Sequence, residues 1–186
     1  MKLNRRTFFI LSSITLFGFS SIGLLVIWLF SLPTLSELVF RTALHWQVMY
    51  GLGYGLGAAL IALSVVESKA LQESTSYFKA FIQNSNIKYI DALFASICAG
   101  IGEELFFRGA VQPFLGIWIT AIVFIAIHGY LSLKDMGIFF YGVLMVLMTA
   151  GFGYLTNWLG IVAAMTAHAL FDAIIFWHLL RSRQAT

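Results

Sequence analysis

"GEELFFRG", Gly102–Gly109, places two adjacent carboxylates, and an arginine four residues after the second, in very apolar surroundings. "DALFASICA" (91–99) precedes it and "AVQPFLGIWITAIVFIAIHG" (110–129) follows. A charge at the centre of a membrane helix costs at least ~2.5–3.5 kcal/mol, so three of them here call for a shared purpose. Helical spacing separates their roles. Glu104 and Arg108 are i and i+4, on one face, and can pair. Glu103 is rotated about 100° away, so the arginine cannot neutralise both acids equally. Glu104 is expected to stay charged beside Arg108. Glu103 is left as the carboxylate suited to taking a proton from water.

The flanks extend this pattern to the whole chain. Of 186 residues, 60% are hydrophobic and 10% charged, against roughly 25% charged in soluble domains. Residues 7–36, 42–66, 109–133 and 136–171 contain no Asp, Glu, Lys or Arg. Stretches of about 20 apolar residues suffice to cross a bilayer core, where backbone groups must be satisfied within helices. The chain is therefore expected to be all-α, a polytopic membrane helix bundle forming one domain over residues 1–186. Six spans are expected: 7–30, 42–66, 91–111 (Asp91 as N-cap, Pro113 just past the end), a short one at 115–127, 136–155 and 161–180. The first two are extra N-terminal helices, residues 67–89 a polar surface loop with a short interfacial helix, and 90–180 the core. The first apolar run is too long for a cleavable signal, despite Lys2, Arg5 and Arg6 before it.

The net charge of +3 reflects basic loops and implies no nucleic-acid partner. With the N terminus in the cytoplasm, nine Lys and Arg fall inside and only Arg41 outside, which puts both termini in the cytoplasm. The lone Cys98 excludes an intramolecular disulfide and reads as a small buried hydrophobe. "YGLGYGLG" (50–57) offers Gly51/Gly55 and Gly53/Gly57 for close helix packing. His45 and His178 lie near span ends and are expected to be structural.

The remaining ionisable groups in the spans are His128, at the end of the fourth, and His168 and Asp172, i and i+4 on the sixth. Together with Glu103, Glu104 and Arg108 they require a common polar interior between the third, fourth and sixth spans. A ruler test is less tidy. At about 1.5 Å per residue, Glu103 lies roughly 22 Å from Lys88 and His168 roughly 20 Å from Arg181, but His128 only roughly 9 Å from Lys134. Either "GYLSLKD" (129–135) dips into the protein or the fourth span is tilted or re-entrant.

Glu103-Glu104-x-x-x-Arg108, Phe124-x-x-x-His128 and His168-x-x-x-Asp172 together resemble the CPBP family, the CAAX protease and bacteriocin-processing (Abi, Rce1-like) group of intramembrane glutamic endopeptidases. The likeness covers about 92–176. It implies hydrolysis of a membrane-anchored or membrane-embedded peptide or protein, with Glu103 as the base that activates water. It further implies His128 positioning the water or stabilising the oxyanion, His168 in the same polar cluster, and Arg108 ordering Glu104. The family's third motif more often ends in Asn, so Asp172 exchanges an amide donor for a potential charge. No cofactor is the favoured expectation. Zinc is the alternative, with Glu103, His128 and His168 as candidate ligands. Two other functions are compatible with the residues: a non-catalytic bacteriocin-immunity or membrane binding protein, and a small proton-coupled transporter. A bacterial or archaeal cytoplasmic membrane is the expected location.

Overall fold

The structure, a computed structural model, describes residues 4–68, 71, 80, 82 and 85–181. Among these it contains six helices and no strand: α1 (Arg5–Leu29), the short α2 (Leu35–Val39), α3 (Leu44–Val66), α4 (Tyr89–Ile127), α5 (Met136–Trp158) and α6 (Ile161–Arg181). All but α2 are long and apolar enough to cross a membrane. The expected interfacial helix in 67–89, and Lys2, Lys69, Lys79 and Arg183 of the charge count, fall outside the described residues.

The expected third and fourth spans are two arms of α4. A straight helix of 39 residues would reach roughly 58 Å, about twice a hydrocarbon core. The chain instead breaks at Gly116, with φ 72° and ψ 172°, a conformation open essentially to glycine alone. The boundary is thus three residues past Pro113, which is tolerated in the first α-helical turn after the π turn that ends at Val111. The first arm runs over 89–115 and the second over 117–127. The second arm is roughly 16 Å long, a half-span. Beyond it, the loop folds inward: Tyr130 and Leu131 pack with Phe107, Phe124 and Ile125, and the Tyr130 ring stands 5.6 Å from that of Tyr141 on α5. The short second arm and the inward loop together account for the ruler discrepancy.

Small residues bring the other helices together. A Cβ at Gly51 would sit 2.9 Å from Thr166 Cβ, and one at Gly55 3.0 Å from Ala167 Cα, so α3 lies directly on α6. Gly53 and Gly57 face open space, so only one of the two expected glycine pairs makes a helix contact. Gly102 meets the backbone of Thr15 and Leu16, where α1 widens into a π-helical turn over Thr15–Phe19. A second π turn, Leu105–Val111, follows Glu104 directly. Such turns occur often at functional sites.

Polar contacts tie the bundle at both ends. Asp91 lies within the first turn of α4 and is not its N-cap. Its carboxylate accepts the Lys88 N–H at 2.9 Å and pairs with Arg5 at 2.5 and 2.6 Å, so it joins α1 to α4. At the same end His178 Nε2 meets Glu67 Oε1 at 2.9 Å. At the other end Arg41 donates to Asn157 O at 2.7 Å, and Gln47 bridges Val39 O, Thr42 O and the Val162 N–H that opens α6. His45 stacks beside Trp46 with ring centroids 5.1 Å apart.

Candidate active site

The residues singled out in the sequence converge. First-arm α4 supplies Glu103, Glu104 and Arg108, the end of the second arm His128, and α6 His168 and Asp172. The break at Gly116 makes this possible. Along a straight helix Glu103 and His128 would be roughly 37 Å apart, whereas His128 Nε2 lies 3.8 Å from Glu103 Oε2.

Glu104 is at the centre of the buried charge. Its Oε2 accepts from Arg108 Nε at 3.0 Å and its Oε1 faces His168 Nδ1 at 2.9 Å. Both charged side chains of the ion pair are fully buried. Arg108 also donates Nη2 to the carbonyl of Thr149 on α5 at 3.2 Å, and its guanidinium carbon lies 5.6 Å from the centre of the Phe124 ring. With both of its oxygens partnered, the Glu104 charge becomes tolerable in a low-dielectric interior, while Arg108 Nη1 finds no hydrogen-bond partner among the described residues. His168 is held between Phe152, stacked at 5.5 Å, and Phe124, edge-on at 5.8 Å. With Nδ1 turned to Glu104, its Nε2 points toward Asp172 Oδ2 at 3.6 Å.

Glu103 is different. Its Oε2 is buried and receives no hydrogen bond from the described residues. Across from it, His128 Nδ1 is 2.7 Å from the carbonyl oxygen of Phe124. That oxygen can only accept, so Nδ1 carries the hydrogen and Nε2 of the neutral ring offers a lone pair. Two acceptors 3.8 Å apart can each take one hydrogen of a single water molecule, leaving the water's lone pairs directed elsewhere.

A cavity of about 400 Å³ adjoins these groups. Glu103, His128, His168 and Asp172 line it, within otherwise mostly apolar walls that include Phe152 and Met145. Glu104 and Arg108 are not among its lining residues. The adjacent acids therefore differ in access as well as in partners.

The zinc expectation meets a poor donor set. Among the described residues no three His, Cys, Asp or Glu side chains gather as a metal-binding group. Glu103 and His128 face each other, while His168 is directed to Glu104 and Asp172.

Sequence spacing had paired Glu104 with Arg108 and grouped the histidines with Glu103. The Glu104–His168 hydrogen bond was not foreseen, because it joins residues 64 apart in the chain. Thr149 was missed too, since it contributes a backbone carbonyl, which any residue carries.

Residues 85–174, which include all six site residues, match the family model described as type II CAAX prenyl endopeptidase Rce1-like. Over 131 residues the chain is 26% identical to the uncharacterized protein YpbD of Bacillus subtilis (strain 168). That alignment covers 68% of this chain and 66% of YpbD. No solved structure matches. The break at Gly116, the buried Glu104–Arg108–His168 set and the Glu103–His128 pair thus lie within the segment that is similar to the Rce1-like family model, in a chain whose long apolar helices fit a membrane bundle.

Proposed function

We propose that the protein is an intramembrane endopeptidase that hydrolyses a peptide bond in a membrane-associated protein or peptide, with Glu103 as general base. The observation that carries this reading is the facing pair of acceptors, Glu103 Oε2 and His128 Nε2, on one cavity wall. A water donating to both presents its oxygen to a substrate carbonyl. Attack forms the carbon–oxygen bond as Glu103 takes the water's proton. Collapse of the tetrahedral intermediate breaks the carbon–nitrogen bond, and Glu103 returns that proton to the departing amine. His128, locked by Phe124 O, positions the water.

Glu104 is unsuited to the same task, because its two oxygens are taken up by Arg108 and His168 and it does not line the cavity. It holds His168 in place, and Arg108 holds Glu104. Asp172 adds negative charge beside His168 Nε2. A glutamate mechanism is favoured over a zinc one because Glu103 Oε2 is left without a hydrogen-bond donor among the described residues and His168 is directed to Glu104 and Asp172 rather than to the Glu103–His128 pair. The end carrying Arg5, Glu67 and Arg181 is assigned to the cytoplasm from the Lys and Arg bias.

The test compares membrane proteomes of cells expressing the wild type or Glu103→Gln at matched levels. General-base loss lowers turnover by about 10²–10⁴. Peptide termini present only with the wild type are expected, with their uncleaved precursors accumulating in the variant. Identical sets of termini would refute the assignment of the base.

A further inference from the structure

A second cavity, of about 300 Å³, lies between α1, α4 and α6. Phe8, Leu11, Ala95 and Ala99 form much of its apolar wall, and Ser12, Thr15 and Asp172 supply its polar side chains. Asp172 and Phe176 also line the cavity in front of Glu103, so the two spaces adjoin across these side chains.

The polar atoms of this groove share a chemical sign. Ser12 Oγ donates its hydrogen to Phe8 O at 2.9 Å, and Thr15 Oγ1 donates to Leu11 O at 3.1 Å. Both hydroxyls are left with lone pairs only. Asp172 forms no hydrogen bond among the described residues; its one charged neighbour in contact is His168, at 3.6 Å. A carboxylate with two hydroxyl acceptors on apolar walls offers nothing to an anion or a carbonyl. It suits a primary ammonium, which has three donors and no acceptor. The long alkyl stem of a lysine would lie along the apolar wall while its ammonium reached the acceptors.

We infer that this groove is a subsite for a lysine side chain of the substrate, with Asp172, Ser12 and Thr15 receiving its ammonium beside the cavity that Glu103 lines. The lysine assignment rests on the endopeptidase reading, since it presumes a peptide in the adjoining cavity. The binding itself can be measured without hydrolysis.

The experiment uses the full chain in phosphatidylcholine nanodiscs and two dye-labelled peptides, acetyl-Leu-Leu-Lys-Leu-Leu-amide and its norleucine twin. Fluorescence anisotropy gives each Kd. The lysine peptide is expected to bind about tenfold more tightly, the scale of one hydrogen-bonded charge. Asp172→Asn should bring the ratio close to one. Ser12→Ala, which keeps the charge, should reduce it by a smaller factor. Unfolding midpoints of both variants confirm that folded proteins are compared. Equal binding of the peptides by the wild type, or a ratio unchanged by Asp172→Asn, would overturn the subsite. Loss of the preference on adding phosphatidylethanolamine would overturn the lysine assignment in favour of a lipid amine. Lysine preference without any Glu103-dependent cleavage would count against the endopeptidase alone. Cleavage without lysine preference would count against the subsite alone.

Discussion

Gly116→Ala isolates the feature on which the site depends. A Cβ at this position meets nothing within 4 Å, so the substitution adds no steric contact and acts on the backbone alone. At φ 72° and ψ 172° an L-residue costs about 1–3 kcal/mol. The chain can accept that strain or relieve it by rotating toward helical angles. Relief swings the second arm of α4 away from the first and carries His128 off Glu103, from which 3.8 Å now separates it. The expected outcome is a lower SDS midpoint in mixed micelles, corresponding to about 1–3 kcal/mol, with activity falling by more than the loss of folded protein explains. A cysteine pair at positions 103 and 128, tested by cross-linking, would report the separation directly. A Gly116→Ala protein with the wild-type midpoint, cross-linking and activity would refute the claim that this glycine makes the reversal.

Further substitutions test the packing of the bundle. Gly55→Ala should cost about 1–3 kcal/mol by overpacking, because its Cβ would stand 3.0 Å from Ala167 Cα on α6. Gly53→Ala, two residues away with open space before it, should be neutral or raise the midpoint by up to about 1 kcal/mol through helix propensity. Arg108→Leu leaves Glu104 a fully buried charge with His168 as its remaining partner and should cost about 3–5 kcal/mol. Combining it with Glu104→Gln should cost less than the sum of the single changes, and strict additivity would contradict a coupled pair. Gln47→Ala removes two hydrogen bonds within the α2–α3 region and one to the start of α6 and should lower stability by about 1–3 kcal/mol, as read by the same SDS titration.

Much of this was legible in the residue order because the membrane imposes simple rules. Twenty apolar residues without charge form a helix, since no other local structure satisfies the backbone in oil. The same rule made Glu103, Glu104, Arg108, His128, His168 and Asp172 conspicuous. Helical spacing alone connected Glu104 to Arg108, which are one turn apart on one face.

What lay beyond the residue order were relations between helices. Residues 91–111 and 115–127 read as two spans, but whether a crossing or a half-span follows Pro113 depends on the backbone at Gly116 and on the loop that Tyr130 anchors against Tyr141. Gly51 and Gly53 look alike in the sequence, yet only Gly51 meets α6. Asp91 looked like a local cap and proved to be the anchor for Arg5 on α1. The distinction between Glu103 and Glu104 was half visible: spacing gave Glu104 its arginine, while its histidine and its separation from the cavity came from α6 and α5 packing behind it. Local sequence dictates which groups are helical and which face they share. Only the packed bundle decides which faces meet, because that choice is made by close contacts between residues far apart in the chain.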